Sequence, residues 1–223
     1  MKLEIRDLLD TEQTIARELF EGCKYPWEVI GSIGRFILEL GERLSGDAYE
    51  KTAADVWIAK DACVAPSACL RGPLIIDHGA EVRHCAFVRG DVIIGQNTVV
   101  GNSTELKNCI LFDHVQVPHF NYVGDSILGA YAHMGASAVT SNIRCDKKNI
   151  VIHANKDICT GMRKMGAVIG DRAEIGCGTV LNPGTIIGRR SIVYPSACVR
   201  GVVPEDCIYK GMGEIVRFAG VRE

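Results

Sequence analysis

An aliphatic residue recurs at every sixth position from Ile58 through Val64, Leu70, Ile76, Val82, Val88, Ile94 and Val100 to Leu106. The same period returns over Ile169, Ile175, Leu181, Ile187, Val193 and Val199. An amphipathic helix repeats every 3.6 residues and a half-buried strand every two, so neither produces this pattern. A short strand followed by a turn does. Three such units close a coil of about eighteen residues with its aliphatic side chains pointing inward. Glycine commonly follows the aliphatic, as in Ile94-Gly95, Val100-Gly101 and Ile187-Gly188, and small residues often stand four positions after it, as at Ala62, Ala68 and Ala86. The 24 glycines and the 6% aromatic content suit many tight turns rather than a bulky core. The expected fold is mainly β: a left-handed parallel β-helix of hexapeptide repeats with an N-terminal helical cap.

Three regions follow from where the period holds. Residues 1–50 do not obey it. There Trp27, Ile30, Ile33, Ile37, Leu40 and Leu44 share one helical face, and a shorter helix is expected near residues 11–20. These helices are expected to cap the first coil, since the ends of a solenoid must be covered. Residues 51–205 form the β-helix. Its register slips after Phe112, around Val117, Val123 and Leu128, and breaks over about 141–166, a polar, lysine-bearing segment that reads as a projecting loop or hairpin. Residues 206–223 form a C-terminal tail closing the other end.

The net charge of −2 gives no reason to expect a nucleic-acid or membrane binder, so any basic site must be local. No apolar leader follows the start, and no run is long enough to span a bilayer, so the chain reads as cytoplasmic. Its ten cysteines are then expected to be reduced, small, half-buried fillers. None forms a C-x-x-C pair, and no metal is expected.

A local basic site is visible in the period itself. Arg71, Arg89 and Lys107 each follow an inward aliphatic and are spaced by eighteen, so they should stack as a column of cations on one outer face. Like charges at strand spacing repel unless solvent screens them, carboxylates such as Asp91 and Glu105 offset them, or an anion binds. Arginine's fork matches phosphate oxygens. Downstream, the stretch Val117-Pro118-His119-Phe120-Asn121-Tyr122 falls where the register slips, placing His119 and Tyr122 on an irregular, exposed corner. Nearby cations disfavour a charged imidazole and leave it able to accept a proton, as a general base for amine acylation must.

From Phe87 to Asn142 the sequence, with FVRGD, GNSTELKN, VPHFNYVGDSILG and GASAVTSN, resembles the acetyltransferase domain of the bifunctional enzymes that make UDP-N-acetylglucosamine from glucosamine-1-phosphate. It is also similar to archaeal sugar-1-phosphate nucleotidylyltransferases carrying the same C-terminal domain, and the likeness covers most of residues 56–205. The resemblance implies a homotrimer with active sites between neighbouring β-helices, acetyl-CoA as co-substrate and an amino-sugar 1-phosphate as acceptor. It implies His119 as general base, Arg89 and Lys107 as phosphate ligands, and Tyr122 as a substrate contact. Asn142 matches a family asparagine near acetyl-CoA and sugar, Lys148 a lysine reaching in from the excursion, and Ala136 an alanine whose backbone lies near the thioester. There are departures. His133 stands where the family has a sugar-contacting asparagine, and Cys177 and Pro195 stand for a serine and an alanine along the coenzyme groove. The glycine-rich L-x-x-G-x-G-T-R signature of the nucleotide-binding domain is missing, so nucleotidyl transfer is not expected. Two other readings compete: a non-catalytic trimeric sugar-phosphate-binding or scaffold β-helix, and a γ-class carbonic anhydrase-like zinc enzyme. The latter is suggested by Val88-Arg89-Gly90-Asp91 and the His114-x4-His119 spacing, but no histidine occurs between Arg89 and His114.

Overall fold

The computed structural model describes residues 2–218 of the chain. Short parallel strands stack coil upon coil into a β-solenoid with three faces. One face carries three-residue strands such as Leu74–Ile76, Val92–Ile94, Ala167–Ile169 and Thr185–Ile187. A second carries the pairs Cys69–Leu70, Phe87–Val88, Val139–Thr140, Val180–Leu181 and Cys198–Val199. The third includes Glu81–Val82, Val99–Asn102, Gln116–His119, His133–Met134 and Glu174–Ile175. The inward positions of the six-residue period, from Ile76 to Val199, are buried almost without exception, so the core is the stacked aliphatic column that the sequence implies.

The slip in register has a simple cause. Between Leu106 and Leu111, and again between Val123 and Leu128, the unit has five residues, yet all four aliphatics still point inward and are fully buried. One corner residue is missing, and the chain answers by running a single strand around the bend. Glu105–Leu111 and Tyr122–Leu128 are continuous and bridge the second face to the first. Asn108 (φ 47°) and Asp125 (φ 48°) take the bend in the left-handed region, which Asn and Asp tolerate better than most residues. The first slip therefore lies before Phe112 rather than after it.

The three-residue strands are buried on both sides. Ile75, Ile93, Ile110, Ile127, Val168 and Ile186 stack in register, point away from the interior, and are all fully buried. Each side chain hidden there contributes about 1.5–3 kcal/mol, which is why the N-terminal segment lies along this flank instead of over the first coil. A helical turn at Ile5–Leu8 (α1) leads to short 3₁₀ turns and to helix α2, Ile33–Gly41, which packs on the strands of this covered face. Trp27, Ile30, Ile33 and Ile37 are buried, as their shared face implies, but a 3₁₀ segment, Pro26–Ser32, replaces the first half of the expected helix. Near residues 11–20 the structure has one 3₁₀ turn, Arg17–Phe20, whose Phe20 meets Phe112 edge to face at 5.6 Å.

The edge of the first coil is instead paired antiparallel by Tyr49–Ala53, which lies against Val56–Ala59. At the far end Cys207–Gly211 joins the third face and Glu214–Arg217 folds back antiparallel on it. Antiparallel pairing at both ends blunts edges that would otherwise recruit another chain. The last residues of the expected 206–223 tail lie outside the described residues. The 141–166 excursion carries a small antiparallel pair, Val151–Ile152 with Ile158–Cys159, and its Ile150, Ile152 and Met165 are buried. Among the described residues no helix is long and apolar enough to cross a membrane.

Candidate active site

The outer side of the second face is left open, and most of the residues singled out in the sequence collect on it or at its margins. Strand register places Leu70 beside Val88 and Val88 beside Leu106, so Arg71, Arg89 and Lys107 do form a column. Two of its three cations are matched by carboxylates. Arg89 pairs with Glu105 at 2.7 Å, which holds the guanidinium pKa above its ordinary value. Lys107 lies 3.2 Å from Asp125. Arg71 sits over the ring of Phe87 at 5.3 Å.

Asp125 is the hub of this cluster. It is only 3% exposed, sits at the shortened corner, and accepts hydrogen bonds from Lys107 Nζ, from Asn108 Nδ2 at 2.8 Å and from Asn142 Nδ2. Asn142 Nδ2 also donates to the Tyr122 hydroxyl at 3.1 Å. The Tyr122 pKa is raised, chiefly by burial and further by the charges of Asp125 and Glu105, so the hydroxyl keeps its proton and remains a donor. Lys107, Tyr122 and Asn142 are thus brought into one hydrogen-bonded group around Asp125, and the separate Arg89–Glu105 pair lies beside it, Glu105 standing next to Tyr122 in register. The binding elements of both, Glu105, Asn108 and Asp125, were not singled out as site residues from the sequence. Only the charge balance of the column pointed to Glu105, and nothing marked Asp125 before the five-residue units were known.

His119 ends the strand Gln116–His119 at the corner between the third and open faces, and its side chain is exposed. The corner is built tightly from beneath. A Cβ on Gly101 would overlap the Pro118 carbonyl, so only glycine lets this coil approach. Buried Asn121 accepts the His119 N–H at 3.0 Å and donates to the carbonyls of Gly135 (2.8 Å) and Ala138 (3.1 Å). Like Asn108 and Asp125, it carries no signal in the sequence that marks it as a site residue.

The same corner continues down the solenoid as a ladder. Ser137 N–H donates to the His119 carbonyl, Gly178 N–H to that of Ala136, and Ser196 N–H to that of Cys177, at 2.8–2.9 Å. His119, Ala136, Cys177 and Pro195 therefore stand one above another, although the steps along the chain between them are unequal. The Ala136 N–H has no partner among the described residues, and the side chains of Ala136, Cys177 and Pro195 are small. A slender chain laid along this ridge, with a carbonyl at Ala136, fits that arrangement of a spare donor and open flank.

Two residues stand apart within one chain. His133 lies on the third face, on the other side of the corner, with Nδ1 2.9 Å from the Glu174 carboxylate. Lys148 is exposed on the excursion, and its side chain has no hydrogen-bond partner among the described residues, while its N–H meets Asp146 at 3.2 Å. His114 precedes the strand Gln116–His119 and His119 ends it, at opposite corners, with His114 stacked on Tyr131 at a centroid distance of 4.4 Å. Among the described residues no three His, Cys, Asp or Glu side chains cluster as metal ligands would.

Residues 70–159 match the GMPPB C-terminal domain, and residues 166–201 match the bacterial transferase hexapeptide of six repeats. The bifunctional protein GlmU of Methanococcus maripaludis strain C7 is 36% identical over 194 residues, which is 86% of this chain and 47% of that protein. The bifunctional sugar-1-phosphate nucleotidylyltransferase/acetyltransferase of Sulfurisphaera tokodaii is 34% identical over 96 residues, 43% of this chain and 24% of that one. The chain thus spans between a quarter and a half of the length of these curated relatives. The crystal structure of the polySia-specific acetyltransferase NeuO shares the fold, with a TM-score of 0.51 at 14% identity over 72% of this chain and 83% of that one.

Proposed function

We propose that this hexapeptide-repeat chain is an acetyl-CoA-dependent N-acetyltransferase acting on an amino-sugar 1-phosphate, working as a homotrimer with sites between neighbouring β-helices. The observation that carries the reading is the ladder on which His119, Ala136, Cys177 and Pro195 align beside Arg89, Lys107, Tyr122 and Asn142. A base, a spare oxyanion donor, a ridge for a slender acyl carrier and a polar pocket with cations then adjoin one another.

An ammonium group is not a nucleophile, so the acceptor's proton must leave first. The His119 imidazole takes it. The free amine then attacks the thioester carbonyl, and the Ala136 N–H faces the oxygen on which negative charge develops. Collapse of this intermediate breaks the C–S bond, leaves the amide, and expels the coenzyme thiolate, which takes up the proton held by His119 and departs as free thiol. Arg89 and Lys107 turn toward the acceptor's phosphate, exchanging part of their pairing with Glu105 and Asp125 for a ligand charge. Tyr122 and Asn142 hold the sugar, Lys148 closes from the excursion, and His133 contacts the sugar from the third face of a neighbouring chain. The acyl carrier runs past Cys177 and Pro195.

One observation favours a second reading, a sugar-phosphate-binding scaffold without catalysis. Arg89 and Lys107 already have carboxylate partners, so their pairing needs no ligand. Incubation with acetyl-CoA and a panel of amino-sugar 1-phosphates, following free thiol and the mass of the acetylated product, separates the two. Product with one acceptor supports the transferase. Acceptor binding by calorimetry with no thiol release from any member establishes the scaffold.

A further inference from the structure

The excursion does not simply project. Where it crosses back over the lower coils it borders a cleft of about 360 Å³ against the solenoid, lined by Ser141, Asn182 and Arg200 on the coils and by Arg144, His153 and one carboxylate, Asp146, on the excursion. Arg200 continues the column that holds Arg89 and Lys107, since register carries it from Thr140 to Leu181 to Val199, one residue before each of Ser141, Asn182 and Arg200.

Arg200 is held in an unusual way. Most arginines of the chain meet a carboxylate, among them Arg83, Arg89, Arg144, Arg189 and Arg190. Arg200 forms no salt bridge among the described residues. It is aimed instead by a histidine: His153 Nε2 lies 2.9 Å from Arg200 Nη2, while His153 Nδ1 lies 3.1 Å from Asp157. A guanidinium can only donate, so Nε2 accepts, and the carboxylate beside Nδ1 fixes the ring proton there. The Asp157–His153 pair therefore orients Arg200 without neutralising it, and leaves its remaining N–H groups for a ligand. Arg144 adds a second guanidinium, aligned by Asp146 through two bonds of 2.7 and 2.8 Å. An oriented, uncompensated arginine in a cleft is the arrangement that captures phosphate oxygens.

We propose that this cleft is an anion subsite taking a phosphate or diphosphate group, with Arg200 as its principal ligand and His153 as its positioning residue. It is separate from the cations at Arg89 and Lys107. Tyr122, Val139, Val180 and Cys198 occupy successive rungs, which puts Arg200's coil about 14 Å along the axis from Tyr122 at the usual strand spacing. One sugar ring with one phosphate does not span that. A ligand with a longer arm does, and the floor it would cross is apolar and open, with Val180 36% exposed. Two molecules carry such an anion on such an arm: an acyl carrier ending in a phosphorylated nucleotide, or an acceptor sugar linked through a diphosphate to a nucleoside. The site holds whichever of these is the source and does not depend on acetyl transfer.

Isothermal titration of the full chain tests it, using inorganic diphosphate, coenzyme A, 3′-dephospho-coenzyme A and UDP-glucose as probes. Diphosphate should bind the wild type and lose at least tenfold in affinity in Arg200→Gln, with a smaller loss in His153→Leu. If coenzyme A loses the same factor in Arg200→Gln, the anion comes from the acyl carrier, and a weaker response of the dephospho form assigns it to the 3′-phosphate. If UDP-glucose alone loses it, the anion comes from the acceptor. Modification of wild-type Arg200 by phenylglyoxal, followed by mass spectrometry, needs no variant and should be slowed by diphosphate. Absence of diphosphate binding, equal affinity in wild type and Arg200→Gln, or unprotected Arg200 overturns the proposal. Failure of acetyl transfer with intact diphosphate binding would count against the function proposed above and leave this site standing.

Discussion

Two faces of one solenoid, built from the same repeat, have opposite fates. On the face of three-residue strands the outward positions are Ile75, Ile93, Ile110, Ile127, Val168 and Ile186, and the N-terminal segment seals them from water. On the adjoining face the outward positions include Phe87, Glu105, Tyr122, Val139 and Val180, none of which is fully buried: the first four are half-buried and Val180 is exposed. Inward residues make the coil in both cases. The outward residues decide whether a face becomes core or a surface that meets a ligand. The covered face should therefore answer to mutation in stability and the open face in function.

The sharpest way to break that contrast is Ile110→Ala on the covered face. The deleted side chain is fully buried between coil and N-terminal segment, and the cavity should cost about 4 kcal/mol by denaturant titration, with turnover per folded molecule unchanged. Gly101→Ala attacks the corner under His119. The new methyl meets the Pro118 carbonyl, so about 3 kcal/mol is expected; here turnover per folded molecule should fall as well, because the His119 corner must shift.

A smaller effect concerns the clasp between the N-terminal segment and the coils. Asp171 accepts the N–H groups of Asp10 and Ala130, both at 2.9 Å, and pairs with Arg189 at 3.1 Å. Burial outweighs these partners and pushes its pKa up to about 6. The folded state then binds the proton more tightly than the unfolded state. Asp171's contribution to stability is complete below about pH 4 and is lost as pH rises through 6. Urea midpoints at pH 4.5, 5.5 and 7 should show a decline of order 2 kcal/mol in the wild type that Asp171→Asn lacks. The smallest effect is expected at Arg71, the exposed end of the cation column. Arg71→Ala should change stability by less than about 0.5 kcal/mol and leave acceptor affinity within twofold, whereas Lys107→Ala should weaken it at least tenfold.

Much of this contrast could be read in the sequence, and what could not has identifiable reasons. A period of six is unaffected by what surrounds the coil, so the fold, the cation column and the exposed corner at His119 were all visible. The covered face also leaves a trace in the sequence: the aliphatic immediately before the inward one, at Ile75, Ile93, Ile110, Ile127, Val168 and Ile186, repeats once per coil. The N-terminal helices were instead expected over the first coil, because solenoid ends need cover; Tyr49–Ala53 supplies that cover as a strand. The partners of the polar group were hidden for another reason. Asp125 and Asn108 reach one corner only because two units are a residue short, and a shortened unit reads in the sequence as loss of pattern. Glu174's hold on His133 crosses 41 positions and the whole excursion, beyond any local rule.

The central claim is that the open face and its corner carry out acyl transfer, with His119 as the base. Thiol release from acetyl-CoA in the presence of the acceptor that the panel identifies, compared between wild type and His119→Ala at matched folded concentration, tests it most directly. The variant should lose about 10²–10⁴-fold in kcat while its thermal midpoint stays within a degree or two of the wild type. Equal rates in the two proteins would contradict the account.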